Sequence, residues 1–136
     1  MTMNVFGRFV AGAIAVSALT ILVGCKTRTA YEVVAAPIPE STAKTTTLAD
    51  IEQVIVRGGT KAGWVVLPEA PGRLSARYAY GQHNATVTIE HDTKVYNIKY
   101  RESTFKTDGT SIHKLYNRWV ITLDRSIRTE LASIGQ

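Results

Sequence analysis

Residues 74–80, 85–90 and 95–100 read Leu-Ser-Ala-Arg-Tyr-Ala-Tyr, Ala-Thr-Val-Thr-Ile-Glu and Val-Tyr-Asn-Ile-Lys-Tyr. Each stretch alternates large or apolar residues with polar or small ones, the period of a strand with one buried face. Gly81-Gln82-His83-Asn84 reads as the first connecting loop and Asp92-Thr93 as a two-residue hairpin turn. Residues directly opposite one another must share a face. Those two loops therefore set apolar rows of Ala76, Ile89 and Tyr96, then Tyr78, Val87 and Ile98, then Tyr80, Ala85 and Tyr100. The other face carries Arg77, Thr88 and Asn97, then Ala79, Thr86 and Lys99. A sheet with one packed and one wet face is an antiparallel meander.

Upstream, Gly63-Trp64-Val65-Val66-Leu67 gives a further strand closed by Pro68, and Pro71-Gly72 turns the chain into Leu74. Before that strand, Thr47 with Asp50 forms a capping-box-like start, and Leu48, Ile51, Val54 and Ile55 fall on one helical stripe. Arg57 falls in the last turn of that helix, and Gly58-Gly59 reads as its stop. Downstream, Thr107-Asp108-Gly109-Thr110 marks a turn and Ser111 an N-cap. Ile112, Leu115, Tyr116, Trp119, Val120, Leu123, Ile127, Leu131 and Ile134 then follow one helical face. Asn117, Arg118, Asp124, Arg125, Arg128 and Glu130 fall away from it. A helix from Ile112 to Ile134 would be about 34 Å long, enough to cross the sheet. The expected fold is α+β in two layers: a short N-terminal helix, a four-stranded antiparallel meander, and a long C-terminal helix packed on one face, all within residues 47–136.

The N-terminal residues carry a different signal. Arg8 precedes an apolar run from Phe9 to Val23, which is short for a membrane span and suited to the core of a secretory leader. Its end, Leu22-Val23-Gly24-Cys25, resembles the lipobox of bacterial lipoproteins. That resemblance implies removal of residues 1–24, a thioether diacylglycerol on Cys25 and N-acylation by a palmitate-class chain. A plain secretory leader with a chance thiol, or an uncleaved anchor helix, are the competing readings; run length, charge and the single Cys favour lipidation. In lipoproteins that resemble this one, Asp after the Cys favours inner-membrane retention. Lys26 stands there instead, which points to the outer membrane. Residues 25–46 are rich in Thr, Ala and Pro and read as the lipidated Cys and a flexible tether. Within them Tyr31 to Ala36 is a short strand-like run that Pro37 and Pro39 bar from the middle of a sheet.

Composition narrows the chemistry. The 136 residues are 45% hydrophobic and 20% charged with a net charge of +5, which excludes fibrous repeats and polytopic membrane proteins. One Cys excludes an intramolecular disulfide and a Cys-based zinc site. His83 and His91 stand at opposite ends of one strand, about 26 Å apart, and His113 can join only one of them. Gly58-Gly59 lacks the Lys spacing of a phosphate loop, and no Gly-x-Ser-x-Gly singles out a nucleophile. No catalytic residue, metal or cofactor is expected. Tyr116 and Trp119 read as core aromatics, and Asn117 as a residue off the stripe, free to cap a loop or meet a partner.

Residues 48–134 resemble a family of small, uncharacterised bacterial lipoproteins. The resemblance rests on Gly63-Trp64, Pro71-Gly72 with Leu74 and Ala76, and His83 followed by Ala85, Val87 and Ile89. It extends to Tyr96, Ile98 and Tyr100, to Ile112-His113, and to Tyr116-Asn117 with Trp119-Val120 and Leu123. It implies no activity. The general layout is also similar to accessory lipoproteins of outer-membrane barrel assembly, by fold alone. The expectation is a non-enzymatic envelope lipoprotein anchored through Cys25 in the inner leaflet of the outer membrane and facing the periplasm. It would bind an envelope protein or an anionic cell-wall polymer, with Arg77, Thr86, Thr88, Asn97 and Lys99 as the partner face and no nucleic acid. The alternative is a small periplasmic enzyme inhibitor projecting the loop Gly81 to Asn84, or an enzyme with a cleft between the first helix and the sheet.

Overall fold

The computed structural model describes residues 29–108 and 111–134. In chain order the elements are β1 (Val33–Pro37), α1 (Glu40–Thr45), α2 (Leu48–Lys61), β2 (Val65–Ala70), β3 (Arg73–Tyr80), β4 (His83–His91) and β5 (Val95–Ser103). A two-stranded pair, β6 (Lys106–Asp108) and β7 (Ser111–Ile112), precedes α3 (Lys114–Ser133). The first five strands form one antiparallel sheet in the order β1-β5-β4-β3-β2. Helices α2 and α3 lie against each other, α2 meeting β2 and α3 meeting β5. The fold is α+β, with the long C-terminal helix packed on one face of the sheet.

The alternation places most of the expected apolar residues under the helices, but Tyr80, expected in the third apolar row, is 72% exposed at the end of the sheet. Leu74, Ala76, Val87, Ile89, Tyr96 and Ile98 are buried under the helices, together with Ile51, Ile55, Tyr116, Leu123 and Ile127. The pairing itself differs from expectation by two residues in both hairpins. Tyr80 pairs with His83, so the first connection is the two-residue turn Gly81-Gln82, and His83 and Asn84 belong to β4. Ala76 consequently faces Val87, and Leu74 faces Ile89. In the second hairpin His91 pairs with Tyr96 and the turn residues are Thr93-Lys94. Asp92 stands before that turn: its Oδ1 accepts the N–H groups of Lys94 and Val95 at 2.6 and 2.8 Å. At the first connection Gly81 takes a positive φ of 61°, so a two-residue turn that matches the twist of the flanking strands displaces the longer loop. A slip of two residues keeps every side chain on its own face.

Helix α2 starts as its sequence indicates, with the Thr47–Asp50 capping box complete. Its end is corrected. Gly58-Gly59 lies inside the helix and marks a close crossing: a Cβ on Gly58 would sit 2.8 Å from the Cα of Ile127, and one on Gly59 2.4 Å from Val66. The helix stops instead at Gly63, whose positive φ of 86° lets its N–H reach Thr60 O while Trp64 N–H reaches Gly59 O. That pair of bonds is a Schellman cap.

Helix α3 is capped by His113, whose Nδ1 accepts the Leu115 N–H at 3.2 Å, and Ser111 is taken up by β7. Asp124 and Glu130, read from the sequence as outward, are buried. The reason is that α2 as well as the sheet covers α3, which widens its buried arc beyond the apolar stripe. Each acid is paired. Asp124 accepts from the Tyr96 hydroxyl at 2.5 Å and from Arg128 at 3.0 Å. Glu130 is met by Lys61 at 2.5 Å and Arg57 at 3.8 Å. Burial, and then the hydrogen bond to Asp124, push the Tyr96 phenol well above its ordinary range.

The reading of residues 25–46 as a tether is corrected from Val33 onward. Val33, Ala36 and Ile38 are buried in the core. Strand β1 is the sheet's outer strand beside β5, a place where Pro37 does no harm. Further along, buried Thr42 of α1 donates to the carbonyl of Leu131 at 2.9 Å. Residues 1–28, including the leader and Cys25, lie outside the described residues.

Candidate functional site on the open face of the sheet

The face turned away from the helices is where the partner residues were expected, and side chains from four strands are tied together across it. A bulge in β5 makes this possible. Thr86 pairs with Glu102 and Val87 with Tyr100, leaving Arg101 as the extra residue. Arg101 and Glu102 therefore both project onto the open face. Arg101 lies across the sheet: Nε donates to Thr88 of β4 at 2.9 Å, Nη1 to Ser75 of β3 at 3.3 Å, and both Nη atoms to Glu69 of β2 at 2.7 and 2.8 Å. Bidentate pairing of this kind is strong and geometrically specific. The Arg101 guanidinium holds the Glu69 carboxyl below its ordinary range.

The five expected residues have separate surroundings. Thr88 accepts from Arg101, and Thr86 meets Glu102 at 3.3 Å; both threonines are buried beneath those longer side chains. Lys99 is paired with Glu90 at 2.6 Å, and that pairing lowers the Glu90 pKa. Asn97 is turned to β1, where its Oδ1 accepts the N–H of Ala35 at 2.8 Å. Ala35 is held there at a positive φ of 49°, in the irregular stretch of the β1–β5 pairing, so Asn97 fixes a strained turn of the edge strand. Arg77 alone among the five is exposed with no ion pair or side-chain hydrogen bond among the described residues.

Beside Arg77 lie two residues that sequence reasoning left out of the site. Val65 pairs with Arg77 across β2 and β3, and Leu67 pairs with Ser75. Their side chains are 63% and 60% exposed, whereas Val66 between them is buried. The signal was present in the sequence: Pro68 keeps its strand out of the middle of a sheet, and the alternate residues of an edge strand face outward.

Aromatic residues gather at one end of the domain. Tyr78 lies between Trp64 and Trp119, with ring centres 5.5 and 4.6 Å away, and Trp119 meets Phe105 edge-on at 4.9 Å. His83 and His113 stack on Phe105 at 4.5 and 5.5 Å. Trp64 and Phe105 are buried and Trp119 is partly buried against the core, so Trp119 acts chiefly in packing. A groove of about 200 Å³ remains over Trp64, Tyr78 and Trp119, with Arg118 at its rim.

His91 sits elsewhere, its ring buried and its Nε2 3.3 Å from Glu52 of α2. Among the described residues no group of three or more His, Cys, Asp or Glu is arranged to hold a metal ion. Asn117 has a definite task. Its Oδ1 accepts the Tyr31 N–H at 2.8 Å and its Nδ2 donates to the Thr29 carbonyl at 3.1 Å. Glu32 supplies an acceptor for the Tyr100 N–H at 2.9 Å. The chain just after residue 28 is thus fastened to α3 and to the outer side of β5. No protein-family model, curated protein or solved structure matches this chain.

Proposed function

We propose that the chain is a non-enzymatic, lipid-anchored envelope protein of the outer-membrane inner leaflet that binds a protein partner through the β2–β3 end of its open sheet face. The anchor rests on the lipobox-like Leu22-Val23-Gly24-Cys25 and the apolar run before it. The observation that carries the binding surface is the contrast on one face: Val65 and Leu67 stand exposed beside unpaired Arg77, while Thr86, Thr88, Asn97 and Lys99 are engaged within the domain. Exposed aliphatic side chains next to an arginine suit a protein surface better than a polyanionic glycan, because water-facing apolar area gains from burial and Arg is favoured at interface centres.

In-cell photo-crosslinking from Leu67 and Arg77, with Asn97 as the internal control, tests this reading. One discrete protein adduct from Leu67 and Arg77 and none from Asn97 is the expected result. Adducts to cell-wall polymer alone, or equal adducts from all three positions, would remove the protein-binding assignment.

A further inference from the structure

The outward side of α3 is basic and lies on the opposite side of the domain from the open sheet face. Lys114, Arg118, Ile121 and Arg125 recur at helical spacing along it and are all exposed, Ile121 at 40%. From Lys114 to Arg125 the stripe runs about 16 Å. Lys114, Arg118 and Arg125 have no acidic partner among the described residues. The two acids of the helix, Asp124 and Glu130, are buried and already paired. A row of cations with no acid among them on one exposed helix face is attracted to an anionic lipid surface.

The position of the chain's N-terminal end selects that occupant. Thr29 and Tyr31 are hydrogen-bonded to Asn117, next to Arg118 on α3. Cys25 precedes Thr29 by four residues, a reach of at most about 14 Å even when fully extended. Lys26 and Arg28 fall within that link and add positive charge. A lipid attached at Cys25 would hold the first turns of α3 at the headgroups. The extended tether expected from composition would have allowed a much greater distance.

Resting on the anchor reading above, we infer that the exposed face of α3 docks on an anionic phospholipid bilayer, with Lys114, Arg118 and Arg125 over the headgroups and Ile121 at their level. The sheet's open face, with Val65, Leu67 and Arg77, then points away from the membrane toward the aqueous compartment. Anchor, docking helix and partner face form one oriented arrangement.

The test uses the full processed protein purified from membranes and placed on vesicles of phosphatidylcholine, with or without phosphatidylglycerol. Nitroxide labels are introduced at Ile121→Cys and, as the opposite-face reference, at Ala79→Cys, and collision with oxygen and with a water-soluble nickel complex is measured. The expected result is lipid-like accessibility at residue 121 on phosphatidylglycerol vesicles and aqueous accessibility at residue 79. Each neutralised cation weakens surface attraction about fivefold. Arg118→Gln with Arg125→Gln should therefore weaken the contact about 25-fold and return residue 121 to the aqueous value. Aqueous accessibility at residue 121 on phosphatidylglycerol, or lipid contact that survives the double substitution, would overturn the docking. Intact mass measurement of the same preparation reads the anchor separately. An unacylated Cys25 overturns the anchor, whereas an acylated chain with an aqueous residue 121 overturns the docking alone.

Discussion

The two faces of the central sheet are built on different principles. Under the helices the contacts are apolar, and what counts is volume: Leu74, Ala76, Val87, Ile89, Tyr96 and Ile98 alternate small and large against α2 and α3. On the open face what counts is pairing: Arg101 fastens Thr88, Ser75 and Glu69, and Lys99 fastens Glu90. Burial of apolar surface is the larger contribution, while exposed ion pairs contribute little each. The covered face therefore holds the fold, and the open face holds its own side chains in place around a small unpaired patch. A binding surface can be set on such a face because its residues can change without loss of the core.

The sharpest way to break this contrast is to truncate one aliphatic side chain on each face. Ile98 is fully buried at the middle of the sheet, between Val33 of β1 and Ile89 of β4. Ile98→Ala should cost about 2–5 kcal/mol of stability in a denaturant titration. Leu67→Ala, on the other face, should stay within about 0.5 kcal/mol. Similar losses for both would mean that the β2 edge is packed in solution and that Leu67 is no partner residue.

A smaller effect sharpens the volume argument. Gly58→Ala gains helix propensity of about 1 kcal/mol. It also drives a methyl group against the backbone of Ile127, a contact of 2.8 Å that no rotamer change relieves. Overpacking of this sort costs about 1–3 kcal/mol, so the net expectation is a loss of about 1 kcal/mol. A higher melting temperature for the variant would show that the α2–α3 crossing yields, and that volume is less tightly set there than the geometry indicates.

Gly58 also illustrates what a sequence leaves open. A glycine pair near the end of an amphipathic stretch fits a helix stop and a close helix crossing equally well, and only the partner helix distinguishes them. Period-two alternation assigned Ala76, Val87, Ile89, Tyr96 and Ile98 to the correct face, because faces survive a slip of two residues. The register depends on turn chemistry: Asp92 looks like a turn residue, but it stands just after β4 and its side chain caps the turn Thr93-Lys94. Of the five residues expected on the open face, Arg77 is the one that stays exposed without a side-chain partner among the described residues. The bulge at Arg101 was not legible, since nothing local marks an extra residue in an otherwise regular strand. The engagement of Asn97 with Ala35 and of Asn117 with Thr29 and Tyr31 depends on contacts between distant parts of the chain. Composition alone made that N-terminal stretch look like a tether.

Acid provides the last and mildest way to test the open face. Glu69 is lowered from an ordinary value of 4.5 chiefly by its hydrogen bond with Arg101, so its ionised form is favoured by folding. Stability from such a group is fully present above the unfolded pKa of 4.5 and is lost as pH falls through the lower folded value. Glu90 beside Lys99, Asp92 beneath the N–H groups of Val95 and Lys94, and Asp50 in the α2 cap shift in the same direction. The denaturation midpoint should therefore fall as pH is taken from about 6 to about 3. Glu69→Gln should flatten only part of that fall, because solvent screens a pair on this face. A decline as steep in the Gln variant as in the parent would show that the Arg101 bridge orders the open face without contributing to stability. In that case the two faces differ more completely than the pairing alone suggests: one would hold the fold and the other only the arrangement of its side chains.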